Sequence, residues 1–245
     1  MIPLVAVAHG SRDPRSAATI ADLLEVVRTQ RPGLDVRAAF LDLSAPRLPD
    51  VLAALHNDGH RDVAVVPLLL GSAYHARVDL PGLVAEAQAR LPLLSVSVSG
   101  VLGPDERLES VALRRLAEAG VEPDPSLGVI LAGAGSSHQP ANAAVATVAR
   151  RWARSLGVAG VRSAFASTAA PDVPTAVADL RAAGADRIAV ASWFLAPGRL
   201  PDRVAELAGP DAVVAAPLGS DPELAELVLD RYAEAAAVTQ GLQYA

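Results

Sequence analysis

Ala39-Phe40-Leu41-Asp42-Leu43-Ser44-Ala45-Pro46 returns as Ala164-Phe165-Ala166-Ser167-Thr168-Ala169-Ala170-Pro171, a constant 125 residues further on. The same offset sets Gly59 against Gly184 and Val63-Ala64-Val65 against Ile188-Ala189-Val190. Leu102-Gly103-Pro104-Asp105 likewise resembles Leu218-Gly219-Ser220-Asp221. A chain that repeats itself at this spacing builds one folding unit twice. The joint falls at Val121-Glu122-Pro123-Asp124-Pro125, where closely spaced prolines cannot continue a helix. The expected division is therefore an N-terminal domain over residues 1–121 that carries the active site. A duplicated domain over 122–245 then has a degenerate site and closes the cleft.

The type of unit follows from hydrophobic pattern. Leu4-Val5-Ala6-Val7-Ala8 runs straight into His9-Gly10-Ser11, as a strand buried on both faces does. Ala17, Ile20, Leu23, Leu24 and Val27 then recur at helical spacing between Ser16 and Gln30, and Arg31-Pro32-Gly33 stops the pattern. Strands over Val36–Leu43, Asp62–Leu70 and Leu94–Val101 alternate with helices over Pro49–Asn57, Pro81–Arg90 and Glu106–Ala119. Val129–Ala132 opens the second round. This alternation predicts an α/β protein of tandem duplicated flavodoxin-like units, each a four-stranded parallel sheet flanked by helices.

The halves differ where chemistry would sit. His9 faces Ala134 or Gly135, Asp42 faces Ser167, and Gly71-Ser72-Ala73-Tyr74-His75-Ala76-Arg77 is replaced by the shorter Ala196-Pro197-Gly198-Arg199. The second copy keeps the pattern and loses each ionisable group, so chemistry is expected in the first. His9, Asp42 and His75 all lie at or just past strand carboxyl ends, where open α/β sheets bind ligands. Two imidazoles and a carboxylate suit Fe, Co or Ni, and an imidazole also accepts protons near neutral pH.

Ala8-His9-Gly10-Ser11-Arg12, Phe40-Leu41-Asp42 and Val66-Pro67-Leu68-Leu69-Leu70-Gly71-Ser72-Ala73-Tyr74-His75 together resemble the sirohydrochlorin chelatase family, in its long two-domain form. Members insert cobalt, iron or nickel into the modified tetrapyrroles of the cobalamin, sirohaem and related pathways. The resemblance implies a chelatase-like fold and a lyase that needs no ATP. By that likeness His9 is proton acceptor and metal ligand, and His75 is the second ligand. Asp42 is a third, standing where relatives often carry Glu. Leu70, Gly71, Ser72, Ala73 and Tyr74 would line the macrocycle. An acid that some relatives carry before the proline is Ala45 here, so its substrate contact does not transfer.

Composition narrows the rest. A net charge of −6 argues against a nucleic-acid partner, and no apolar run reaches the roughly 18 residues of a membrane span. No basic stretch of a secretory signal opens the sequence, so a cytoplasmic protein is expected. Without cysteine there is no disulfide, thiolate site or iron–sulfur cluster. No cofactor is expected beyond the substrate metal, Fe2+, Co2+ or Ni2+, and no G-x-x-x-x-G-K-[ST] loop is present. The expected partner is sirohydrochlorin or a related polycarboxylate tetrapyrrole. Arg12, Arg15 and Arg77, with Arg199 and Arg203 on the matching rim, are candidates to meet its carboxylates, and Ser11 flanks the same motif. A monomer is expected, since fused halves replace a dimer. The rivals are a non-catalytic metal or tetrapyrrole carrier, and a serine hydrolase using Ser11, which lacks the G-x-S-x-G elbow. His56, His60 and His138 read as exposed loop residues, and Trp193 and Phe194 as core.

Overall fold

The computed structural model describes residues 1–71 and 75–242, with side chains described for 1–71 and 77–238. Among the described residues, eight strands and eight helices alternate: β1 (Leu4–Ala8), α1 (Pro14–Gln30), β2 (Val36–Phe40), α2 (Leu48–Asn57), β3 (Asp62–Pro67), a π turn (His75–Asp79), α3 (Leu80–Arg90), β4 (Ser95–Val98) and α4 (Glu106–Glu118) in the first half. The second half runs β5 (Leu127–Gly133), α5 (Gln139–Ser155), β6 (Gly160–Phe165), α6 (Val173–Ala182), β7 (Arg187–Ser192), α7 (Arg199–Ala208), β8 (Ala212–Val214) and α8 (Pro222–Leu242). Both sheets are wholly parallel, in the orders β2-β1-β3-β4 and β6-β5-β7-β8. Each thus carries its first strand in the centre, with a reversal of strand order beside it.

Centrality explains the sequence of β1 and β5. Every residue of each is buried, because a strand with neighbours on both edges and helices on both faces has no solvent side. In one layer of the first unit, Val5, Val7, Val63 and Val65 pack with Leu48, Val51, Leu52 and Leu55 of α2, and with Leu80 and Val84 of α3. Ile130, Val173, Leu180, Ile188 and Val190 belong to the corresponding layer of the second. Trp193 is buried and Phe194 half-buried, close to the core expected of them, whereas His56, His60 and His138 are half-buried rather than exposed.

The strands are shorter than their apolar runs. β2 ends at Phe40, because Leu43 takes φ +60° and the Ser44 amide turns back to the Asp42 carbonyl at 2.7 Å. The apolar residues beyond β3 and β4 stay buried past the regular ladder: Leu68 and Leu102 are buried there, and their amides donate to the Val7 and Leu69 carbonyls at 2.8 and 2.9 Å.

The compact units also differ from the halves of the repeat. One comprises residues 1–103 with 220–245, the other residues 104–219. The last helix of each half therefore completes the other half's sheet: α8 packs on α1, β3 and β4, and α4 packs on β7. The boundary expected at residues 121 and 122 marks the repeat rather than the units. A prolyl joint ends a helix, but it does not dictate which sheet that helix covers. Matching arginines anchor the two helices. Arg231 of α8 donates to the Val101 carbonyl at 3.0 Å, and Arg115 of α4 donates to the Leu218 carbonyl at 3.0 Å. Tyr232 donates its hydroxyl to the Ile2 carbonyl at 2.8 Å, and burial pushes that phenol's pKa up.

Glu109 of α4 is the buried ionic anchor of the second unit. It accepts from the indole N–H of Trp152 and from Nε of Arg151, each at 3.1 Å, while the carboxylate bonds raise the Arg151 pKa. Removing it strands a buried indole donor. Glu109→Ala is expected to lower stability by about 2–3 kcal/mol in urea unfolding, and Glu109→Gln, which keeps an acceptor, by about 1 kcal/mol.

Candidate active site

The carboxyl edge of the first sheet is assembled by one close approach. Gly10 has φ +95°, and a Cβ there would stand 1.7 Å from the Asp42 carbonyl oxygen, so only glycine admits the loop after β2. Leu41 and Asp42 amides donate to the Ala8 and His9 carbonyls at 3.0 and 2.9 Å. The Ser44 hydroxyl completes the latch, accepting from the Ser11 amide at 2.9 Å and donating to the Ser11 carbonyl at 2.8 Å. The Asp42 backbone is thereby held beside that of His9.

His9 is half-buried, with Nδ1 at 3.1 Å from the Gly10 carbonyl. A carbonyl only accepts, so Nδ1 carries the proton in that contact and the lone pair is on Nε2. This is the tautomer that takes up a proton or a metal through Nε2. Asp42 is 62% exposed, with Oδ1 at 3.4 Å from Nη1 of Arg47. Leu43, 45% exposed for an apolar residue, stands beside it with its positive φ.

The remaining predicted residues divide. Leu70 and Gly71 are half-buried just beyond β3, and Arg12 and Arg77 are exposed. Arg15 is committed to Asp13, the N-cap of α1, at 2.5 Å, and its bonds hold that carboxyl below the usual range. Ser11 accepts the Asp13 amide at 3.1 Å, and Ser136 accepts the His138 amide at 3.0 Å in the second half. That hydroxyl is thus a turn feature of both copies, which weakens the hydrolase reading. Ser72, Ala73 and Tyr74 and the His75 side chain lie outside the described residues. The backbone of His75 opens a π turn, a distortion found frequently at functional sites. Among the described residues no three His, Asp or Glu side chains gather as a metal site, so Asp42 and His9 alone do not make one.

The second half resolves the alignment. Gly135, with φ +85°, makes the equivalent approach to Ser167, and the Ser167 amide donates to the Ala134 carbonyl at 3.0 Å. Ala134 therefore stands in the place of His9. Thr168 repeats the positive φ of Leu43, and the Ala170–Pro171 peptide is cis, as Ala45–Pro46 is. Ala169 lacks the hydroxyl of Ser44, and Asn142 supplies its bonds instead, accepting from the Ser136 amide at 2.9 Å and donating to its carbonyl at 2.7 Å.

One replacement escaped the sequence comparison. Asp172 caps α6 by accepting the Thr175 amide at 2.9 Å, a bond that holds its pKa below the usual carboxylate value. The equivalent N-cap of α2 is Arg47, which makes no side-chain capping bond. The offset of 125 aligns the two, but only the cap geometry shows what the change gives up.

The CbiX family model matches residues 3–119 and again residues 128–235. The chain belongs to the CbiX family. Among curated relatives of this CbiX-family chain, sirohydrochlorin ferrochelatase of Bacillus subtilis strain 168 is 25% identical over 241 residues, 96% of this chain and 92% of that one. Sirohydrochlorin cobaltochelatase of Priestia megaterium is 26% identical over 208 residues, 82% and 66% of the two chains. In solved structures, SirB from Bacillus subtilis with Fe3+ aligns over 98% of both chains with a TM-score of 0.79 at 25% identity. The cobalt complex of SirB from subspecies spizizenii shares the fold, with a TM-score of 0.77 at 23% identity over 98% of each chain. The sirohydrochlorin chelatase resemblance read from the motifs, and the duplicated parallel fold, both stand.

Proposed function

We propose that this protein inserts a divalent metal, Fe2+ or Co2+, into sirohydrochlorin without ATP. The observation that carries this reading is His9, with Nδ1 turned to the Gly10 carbonyl at the sheet edge, in the one copy of the repeat that has it. Relatives named as ferrochelatases and cobaltochelatases support the substrate. The reaction exchanges one metal dication for two pyrrole N–H protons, so it needs proton acceptors and a loosened hydration shell, but no oxidant and no nucleotide.

His9 Nε2 serves as proton acceptor and as ligand to the incoming metal, roles that both require the neutral imidazole. His75 is the second ligand, and Asp42 presents a carboxylate to the same ion. Leu70 to Tyr74 line the macrocycle face, while Arg12 and Arg77 meet its carboxylates. Two compact units within one chain favour a monomer, and no described helix is long and apolar enough to cross a membrane.

Anaerobic absorbance spectroscopy tests the reading, with purified protein, sirohydrochlorin, and Fe2+, Co2+ or Ni2+ offered separately, each with and without ATP. Many turnovers per site above the spontaneous rate, independent of ATP, are expected for Fe2+ or Co2+. Arrest at one equivalent would mean a carrier. An unchanged rate in His75→Ala would remove that residue from the site.

A further inference from the structure

We infer that Arg47 is a specificity-determining residue that binds a carboxylate of the tetrapyrrole and seats the macrocycle over His9; this rests on the proposed polycarboxylate substrate. Three observations point the same way.

The first is local misfit. A helix N-terminus favours a capping oxygen or an anion, and α6 has one in Asp172. At the aligned position α2 has a cation that caps nothing, although Leu48 and Pro49 follow it just as Val173 and Pro174 follow Asp172. Both positions make the same bridge to the preceding strand, Phe40 with Arg47 and Phe165 with Asp172, so the backbone does not require the change. A sequence that breaks a local rule that its own duplicate obeys does so for something other than folding.

The second is placement. Asp42 is hydrogen-bonded through its amide to His9, and the Arg47 guanidinium is 3.4 Å from the Asp42 carboxylate. The cation therefore stands at the sheet edge that holds His9. With 48% of its side chain exposed, it has room for a second anionic partner, and a guanidinium presents its N–H groups as a fork that fits a carboxylate in two places.

The third is joint loss. Asp42 and Arg47 are replaced together, by Ser167 and Asp172, in the copy without the histidine. An exposed ion pair contributes less to stability than the cap it displaces, so the pair is not its own justification. Asp42 keeps the guanidinium oriented.

The test uses the full chain. Dissociation constants for metal-free sirohydrochlorin are measured by absorbance titration on wild type, Arg47→Ser and Arg47→Gln. Arg90→Ser, which removes an exposed charge paired with Glu86 at the far end of α3, is the control. Loss of a charge-assisted bond should weaken tetrapyrrole binding roughly 10- to 100-fold in both Arg47 variants, with the loss falling on KM rather than kcat. Arg47→Ser restores a capping residue and should melt no lower than wild type. Arg90→Ser should bind as wild type does. Unchanged affinity in the Arg47 variants, or equal weakening in Arg90→Ser, overturns the inference. A wild-type protein that binds no sirohydrochlorin overturns the functional reading instead, and does so before any variant is compared.

Discussion

His9→Ala should lower the rate of metal insertion by roughly 100- to 10,000-fold, the range for removing a positioned proton acceptor. Its melting temperature should stay within about 2 °C of wild type. The repeat supplies the reason for the second half of this expectation. Ala134 occupies the same place after β5, and the strand, the glycine turn and the latch to the next loop all form around it. Stopped-flow absorbance under anaerobic conditions, read beside calorimetry, separates the two effects. A variant that kept its rate would move the proton acceptor elsewhere, and one that unfolded would make His9 part of the scaffold.

Gly10→Ala, next along the chain, should fail in the opposite manner. The added methyl would meet a backbone oxygen at 1.7 Å, an atom that cannot rotate aside, and φ +95° is itself unfavourable for alanine. A loss of roughly 3–5 kcal/mol is expected, a fall in melting temperature of about 10 °C or more, with insertion activity lost as Asp42 is displaced. Gly33→Ala isolates the steric part. Gly33 also has a positive φ, +84°, but nothing stands within 4 Å of its Cβ position, so that variant should lose only about 1 kcal/mol. Equal losses in the two variants would show that backbone conformation, not the approach of the β2 loop, makes glycine necessary at position 10.

The legible part of the sequence was the part set by local pattern. Apolar runs five to eight residues long, separated by helical periodicity, yield parallel sheets almost without alternative, and the offset of 125 exposes the duplication. His9 was visible because its strand is unmistakable and its duplicate lacks it. What stayed hidden depends on contacts between segments far apart in sequence. No composition rule says that Ser44 holds Ser11, or that Asn142 takes over when Ala169 cannot. Arg47 is not legible in the sequence, because an arginine before Leu48-Pro49 looks like surface charge until the uncapped helix is set beside its capped twin. The strand ends were overestimated for a related reason. Leu41, Leu68 and Leu102 are apolar because they are buried, and burial continues beyond the regular strands. The helix exchange was equally unreadable, since α4 and α8 have an apolar face that would suit either sheet.

That exchange also governs the order in which the molecule can be completed. Emerging from a ribosome, the first sheet has β1 to β4 and its own three helices long before α8 exists, yet α8 is the cover for β3 and β4. The second unit is different, because α4 is made before the sheet it will cover. By the time β8 and its following turn are synthesised, every part of that unit is present. The unit that begins last is thus the first able to close, and the sheet edge bearing His9 waits for nearly the whole chain.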